Sequence, residues 1–215
     1  ALRLQDVGAG AITIGGVDLR GMDRSMLGQS ITLVPQDVHF FEGTISDNIR
    51  LGCPTASEAA VHDAIKQAHA HEFIQQLPHG LNTEIRAAAT ALSGGEKQRV
   101  VIARVIAQES EFLILDEPTN HLDISYQMQV FDFVKRLQIT VLSAIHDLNM
   151  AALYCDRIYV LKAGKIVLHG TPEEVLTPEN ILDIYGVHCD TIVHPITGKV
   201  SITFLPEGIY AQTKR

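Results

Sequence analysis

Three short apolar runs, each stopping at a polar residue, limit the architectures open to this chain. Ile31 to Val34 runs into Pro35-Gln36, Phe112 to Leu115 into Asp116-Glu117, and Thr140 to Ile145 into His146. Short runs that are apolar at nearly every position, with no two-residue alternation, read as parallel strands buried on both faces of an α/β sheet. Ligands of an open α/β sheet lie beyond the carboxyl ends of its strands, so this pattern carries Gln36, Asp116, Glu117 and His146 to one crevice.

Residues between and after these strands fill in the order of elements. Thr55 to Leu77 has helical spacing at Val61, Ile65, Ala68 and Phe73-Ile74 before the breaker Pro78-His79-Gly80, which predicts a helical insert. Arg157 to Leu161 and Ile166 to His169 flank Lys162-Ala163-Gly164-Lys165, a hairpin pattern. Thr171-Pro172-Glu173-Glu174 and Thr177-Pro178-Glu179-Asn180 each pair a Thr cap with Pro at the first helical position, so two short helices follow, the second stopped by Gly186. Val200 to Leu205 predicts a last strand, and Pro206 to Arg215 a loose tail.

Two stretches carry chemistry. Ser93 and Glu96 in Leu92-Ser93-Gly94-Gly95-Glu96 have capping-box spacing, and Gly94-Gly95 would let a ligand reach bare N–H groups at a helix start. A capped helix with no ligand is the plainer alternative. Adjacent carboxylates at the end of a buried strand are costly unless a cation or a proton uses them. Asp116 therefore suits Mg²⁺, held through water, and Glu117 a base that polarises an attacking water. The structural alternative is that one of them caps the next element.

Bulk properties exclude some classes. A length of 215 residues fits one domain, or a core with a smaller appendage. The net charge of -8 argues against a nucleic-acid partner, because affinity for a phosphate backbone rests on clustered Lys and Arg. No apolar run approaches the ~18 residues of a membrane span. Cys53, Cys155 and Cys189 lack CxxC spacing, which points to a reducing compartment. His69, His71, His188, Cys189 and His194 lack the paired spacing of a zinc site.

Taken in order, these motifs resemble the nucleotide-binding domain of ATP-binding cassette (ABC) transporters. Leu92 to Glu96 is similar to the signature motif of that family, and Phe112 to Glu117 to its Walker B strand and catalytic glutamate. Asn120-His121-Leu122-Asp123 resembles the D-loop, Gln36 the Q-loop glutamine and His146 the switch histidine. The resemblance implies an α/β fold: a P-loop NTPase-like (ABC ATPase) core sheet over residues 1–37 and 91–215, with a helical subdomain over 38–90. It also implies ATP and Mg²⁺ as ligands. Glu117, His146 and Gln36 would be catalytic, Asp116 and Gln36 would serve the metal, and Ser93, Gly94, Gly95, Glu96 and Asp123 would face the nucleotide of a partner.

The family's phosphate loop, G-x-x-x-x-G-K-[ST], is absent from the 215 residues. Ala1-Leu2-Arg3-Leu4 resembles the end of the helix that follows this loop, so the fold is expected to be N-terminally truncated here and inactive alone. The resemblance further implies that the strand carrying the loop lies beside Phe112 to Leu115, leaving that strand an unpaired edge. Phe41 to Ile49 and Leu77 to Glu84 resemble exporter-type domains, whereas Asn120 to Asp123 and His146 to Ala151 resemble importers of iron chelates and vitamin B12. Arg86 to Ala91 replaces the acidic, Gly-containing loop expected before an exporter signature.

The expected role is the ATP-hydrolysing subunit of an importer, on the cytoplasmic face of the membrane. Expected partners are a second nucleotide-binding domain, paired head to tail, and membrane-spanning permease subunits. The alternatives are a soluble ABC-type ATPase acting on ribosomes or DNA, and a non-hydrolysing remnant that contributes only its signature motif.

Overall fold

The computed structural model describes residues 7–23, 27–28, 30–35, 40–85, 92–118 and 123–207. They fall into two compact units, Ala1–Ala144 and Ile145–Arg215. Gln36, Asn120 to Leu122, the Arg86 to Ala91 segment and Ala1 to Leu4 lie outside the described residues.

The first unit opens with a two-stranded hairpin, β1 (Thr13–Ile14) and β2 (Val17–Asp18). Its turn needs two positive φ angles, and Gly15 and Gly16 supply +56° and +81°. The main sheet joins β3 (Ile31–Val34), β6 (Phe112–Asp116) and β7 (Thr140–Ala144), all parallel, with β6 in the centre. Leu115 pairs with Val34 on one side and Ser143 on the other, so the three carboxyl ends are level. The expected parallel arrangement is present.

Two expectations about these strands are corrected. β6 is hydrogen-bonded along both sides, so it offers no open edge where another strand could lie. β7 is not buried on both faces: Thr140, Leu142 and Ala144 are exposed, and Val141 and Ser143 are half-buried. The reason is position. Among the described residues β7 pairs on one side only and forms the edge of the sheet, and apolar composition cannot tell an edge strand from a central one.

Between β3 and β6 come a short ladder and the helices. β4 (Gly43–Thr44) pairs with β5 (Glu84–Ile85) and encloses α1 (Ile45–Arg50), α2 (Glu58–Gln67) and α3 (His71–Gln76). Val61, Ile65 and Ala68 are buried, as their helical spacing predicts. The insert breaks after α2, where His69 takes a left-handed φ of 51°.

α4 (Gly94–Gln108) joins this insert to the sheet. Val100, Ile102, Ala103 and Ala107 pack among Ile45, Ile49, Val61 and Ile65. Val101 and Val105 turn the other way, onto Val34, Leu113 and Leu115. A helix apolar on nearly all sides is one with neighbours on nearly all sides. α5 (Ile124–Arg136) follows β6 and buries Val130, Phe131 and Phe133.

In the second unit α6 (Leu148–Tyr154) is tied to a strand by Asn149, whose amide donates to Ile202 O and accepts from Ile202 N at 3.2 and 2.8 Å. β8 (Ile158–Lys162) and β9 (Lys165–Gly170) form the predicted hairpin. α7 (Pro172–Val175) and α8 (Pro178–Tyr185) start at Thr171 and Thr177, and α8 ends at Gly186 with a left-handed φ of 72°. β11 (Val200–Leu205) is the predicted last strand. It pairs antiparallel with β10 (His188–Val193), which the sequence reading had not identified as a strand.

Candidate functional site

The start of α4 is built as its spacing predicts. Ser93 is the N-cap, with φ -63° and ψ 164°, and its Oγ accepts the Glu96 N–H at 3.4 Å. Glu96 Oε2 in turn accepts from the Ser93 N–H at 2.7 Å and from the Ser93 hydroxyl at 2.9 Å. A Cβ placed on Gly94 or Gly95 would meet no atom of the described residues within 4 Å. Internal packing among the described residues therefore does not require glycine there. The two positions present bare backbone at the positive end of a 15-residue helix, where an anion is favoured.

At the carboxyl end of β6, Asp116 is exposed and Glu117 half-buried. Glu117 has a φ of 47°, in the left-handed region that costs a non-glycine residue about 1–2 kcal/mol. Such backbone persists only where the surroundings enforce it, and it gathers at functional sites. Here β6 is fixed by ladders on both sides, and Pro118, which follows at once, is buried. Glu117 is thus turned out of the strand direction immediately after Asp116.

The level strand ends put Ala144 in register with Asp116, and the chain reaches His146 two residues later, at the opening of the second unit. Asp147 beside it caps α6, accepting from the Asn149 and Met150 N–H groups at 2.8 and 3.1 Å. Asp123 caps α5 and accepts the Tyr126 N–H at 3.0 Å. The capped helix starts at Ser93 and Asp123 and the acidic end of β6 all belong to the first unit. Gln36 lies outside the described residues.

Two polar features behind these helices went unread in the sequence. Asn48 is 1% exposed. Its amide donates to Phe41 O and Thr44 O at 2.9 and 3.0 Å and accepts from Phe41 N at 2.9 Å. Arg104 on α4 donates to the Asn48 carbonyl at 2.7 Å, and burial lowers the pKa of its guanidinium. The sequence signal was Asn48 four residues after Thr44, between Ile45 and Ile49 on a helical face. The second feature is Arg99, whose guanidinium carbon lies 5.1 Å from the ring centres of both Phe73 and Tyr126. No local spacing reveals that contact.

A family model described as ABC transporter matches residues 2–120. Over 176 residues the chain is 41% identical to the mycobactin import ATP-binding/permease protein IrtA of Mycolicibacterium smegmatis, a match covering 81% of this chain and 20% of that protein. It is 34% identical over 212 residues to the cobalamin import ATP-binding protein BtuD of Halobacterium salinarum, covering 93% of this chain and 50% of the relative. A solved structure of a bacterial Atm1-family ABC exporter with ATP bound aligns at a TM-score of 0.75 and 35% identity, over 81% of this chain and 31% of that one. The chain spans between 10% and 50% of the length of the curated relatives it matches.

Proposed function

The chain belongs to the ABC transporter family, and from that premise we propose that it forms the ATP-binding and ATP-hydrolysing part of an importer-type transporter, coupling hydrolysis to movement of an iron-chelate-like substrate across a membrane. The observation that carries the ATPase reading is the end of β6, where Asp116 is exposed and Glu117 is held at a φ of 47°. Import is supported by the likeness of Asn120 to Asp123 and of His146 to Ala151 to importers. The match to the cobalamin import protein, which runs over 93% of the chain, supports it further.

In this reading Glu117 accepts a proton from water as the water oxygen attacks the γ-phosphorus. The bond from phosphorus to the bridging oxygen breaks, and its electron pair leaves with ADP. Asp116, an exposed carboxylate at the strand end, is the hard oxygen donor that Mg²⁺ prefers, and Gln36 would share that role and touch the attacking water. Bound Mg²⁺ supplies charge neutralisation on the phosphate oxygens. His146 orients the γ-phosphate. Ser93, Gly94 and Gly95 serve the nucleotide of a second domain paired head to tail, with the Ser93–Glu96 capping pair holding the loop open, and Asp123 faces the same nucleotide. The helical subdomain, residues 38–90 in this proposal, would meet the permease, and the remainder would form the ATPase core on the cytoplasmic side.

The test is Glu117→Gln in the complete protein that carries this chain. Steady-state hydrolysis should fall by about 10²–10⁴-fold, the usual contribution of a general base, while ATP binding persists and a nucleotide-bound dimer accumulates. Near wild-type turnover in that variant removes Glu117 from the role. Direction is checked separately, by ATP-dependent uptake of a labelled iron chelate into vesicles. Exclusive efflux would overturn the importer reading.

A further inference from the structure

The helix starts capped by Ser93 and Asp123 are joined beneath their surface by one side chain. Arg99 lies one turn along α4 from Gly95, and its guanidinium is sandwiched between Phe73 of α3 and Tyr126 in the first turn of α5. Its Nη1 donates to the His69 carbonyl at 3.4 Å. Its buried Nε has no hydrogen-bond partner among the described residues. The cation is therefore held chiefly by two ring faces. Gly95, Arg99 and Tyr126 border one narrow cavity, which places the signature backbone and the start of α5 against the same small space.

We propose that Arg99 is a positioning residue for nucleotide-driven pairing: stacked between Phe73 and Tyr126, it fixes the Ser93–Gly95 start of α4 relative to the Asp123 start of α5, so that both meet the partner's nucleotide as one preformed surface. The inference rests on the functional reading above. Without the stack each helix start would keep its own cap, since the Ser93–Glu96 and Asp123–Tyr126 bonds are local. What would be lost is their mutual register. Arg99 and Tyr126 are half-buried, and a cation–π contact between the exposed and the fully desolvated limits shifts a closing equilibrium about ten-fold.

The experiment uses the complete protein in a Glu117→Gln background, where the closed dimer accumulates, and reads the ATP concentration that half-closes it together with the thermal midpoint. Tyr126→Leu and Arg99→Met should each raise that concentration about ten-fold, and the double variant should be no worse than either single one. Tyr126→Phe keeps the ring face and should close like its parent. A merely structural role would lower the thermal midpoint and leave closure of the folded fraction unchanged. That result would overturn the proposal, as would additive effects or a defect shared by Tyr126→Phe. If Arg99→Met does not fold, the contrast between Tyr126→Leu and Tyr126→Phe decides alone. If the Glu117→Gln protein itself never closes on ATP, the functional reading fails and takes this inference with it.

Discussion

At the scale of single residues, the chain keeps its polar groups near the core by satisfying them locally. Asn48 shows this best: it holds the backbone of Phe41 and Thr44 at once, while its own carbonyl receives Arg104. Asn48→Ala would remove the side-chain partner of the Phe41 N–H and of two carbonyls, and would take from Arg104 the 3.4 Å contact of its Nη2 with Asn48 Oδ1 while leaving its bond to the backbone carbonyl. Loss of about 2–4 kcal/mol is expected, read as a lower denaturant midpoint at unchanged slope, whereas a drop under about 0.5 kcal/mol would mean that water takes over the freed groups. Residues differ in how much of this the sequence discloses. Ser93 and Glu96 were legible because their bonds span three positions and follow helix geometry. The left-handed backbone of Glu117 and the stack on Arg99 were not, because sheet ladders and residues 26 and 27 positions away from Arg99 impose them.

At the scale of elements, helix starts repeat one solution. α1 begins with Thr44, whose hydroxyl accepts the Asp47 N–H, and the Asp47 carboxylate accepts from the Thr44 N–H at 2.9 Å and the Thr44 hydroxyl at 2.7 Å. Those bonds, the backbone one first, hold the Asp47 pKa below 3.8 against a small opposing effect of burial, with Arg50 assisting. A carboxyl whose pKa is depressed on folding adds stability above its unfolded value and loses it as pH falls through its folded value. The contribution of Asp47 should therefore be complete above about pH 4 and fade below it. In Asp47→Asn that part of the acid slope should vanish, measured as thermal midpoints between about pH 2 and 5. An unchanged slope would assign acid sensitivity to other carboxyls. The β8–β9 hairpin and the helices opened by Ser93, Thr171 and Thr177 were legible because caps and turn residues are written in adjacent positions, whereas the Gly15-Gly16 hairpin and the helices after Thr44, Asp123 and Asp147 were not predicted. Burial of β7 was misread because composition says nothing of what lies beside a strand.

At the scale of the whole molecule, the parallel order β3-β6-β7 brings the ends of distant strands level, and that much followed from three apolar runs with polar endings. Pairing on both sides of β6 did not follow, since three strands can be ordered in more than one way. The placement of acidic groups without a phosphate loop has a direct consequence for binding. Asp116 and Glu117 repel a polyphosphate unless cations and donors offset them. The 215-residue chain alone is therefore expected to show no MgATP binding near about 1 μM in calorimetric titration, and no turnover. Micromolar binding with Glu117-dependent turnover would show that other groups hold the phosphates.

The double packing of α4 also has a mechanical meaning. Its 15 residues form a rod about 22 Å long, set with one side in the helical cluster and the other in the sheet cluster. Close-packed interiors resist compression and pass displacement on with little damping. A push on the surface of α2 or α3 by a neighbouring subunit would then reach Gly94 and Gly95 as a rotation of the rod, with Val101 and Val105, seated on Val34, Leu113 and Leu115, acting as its bearing.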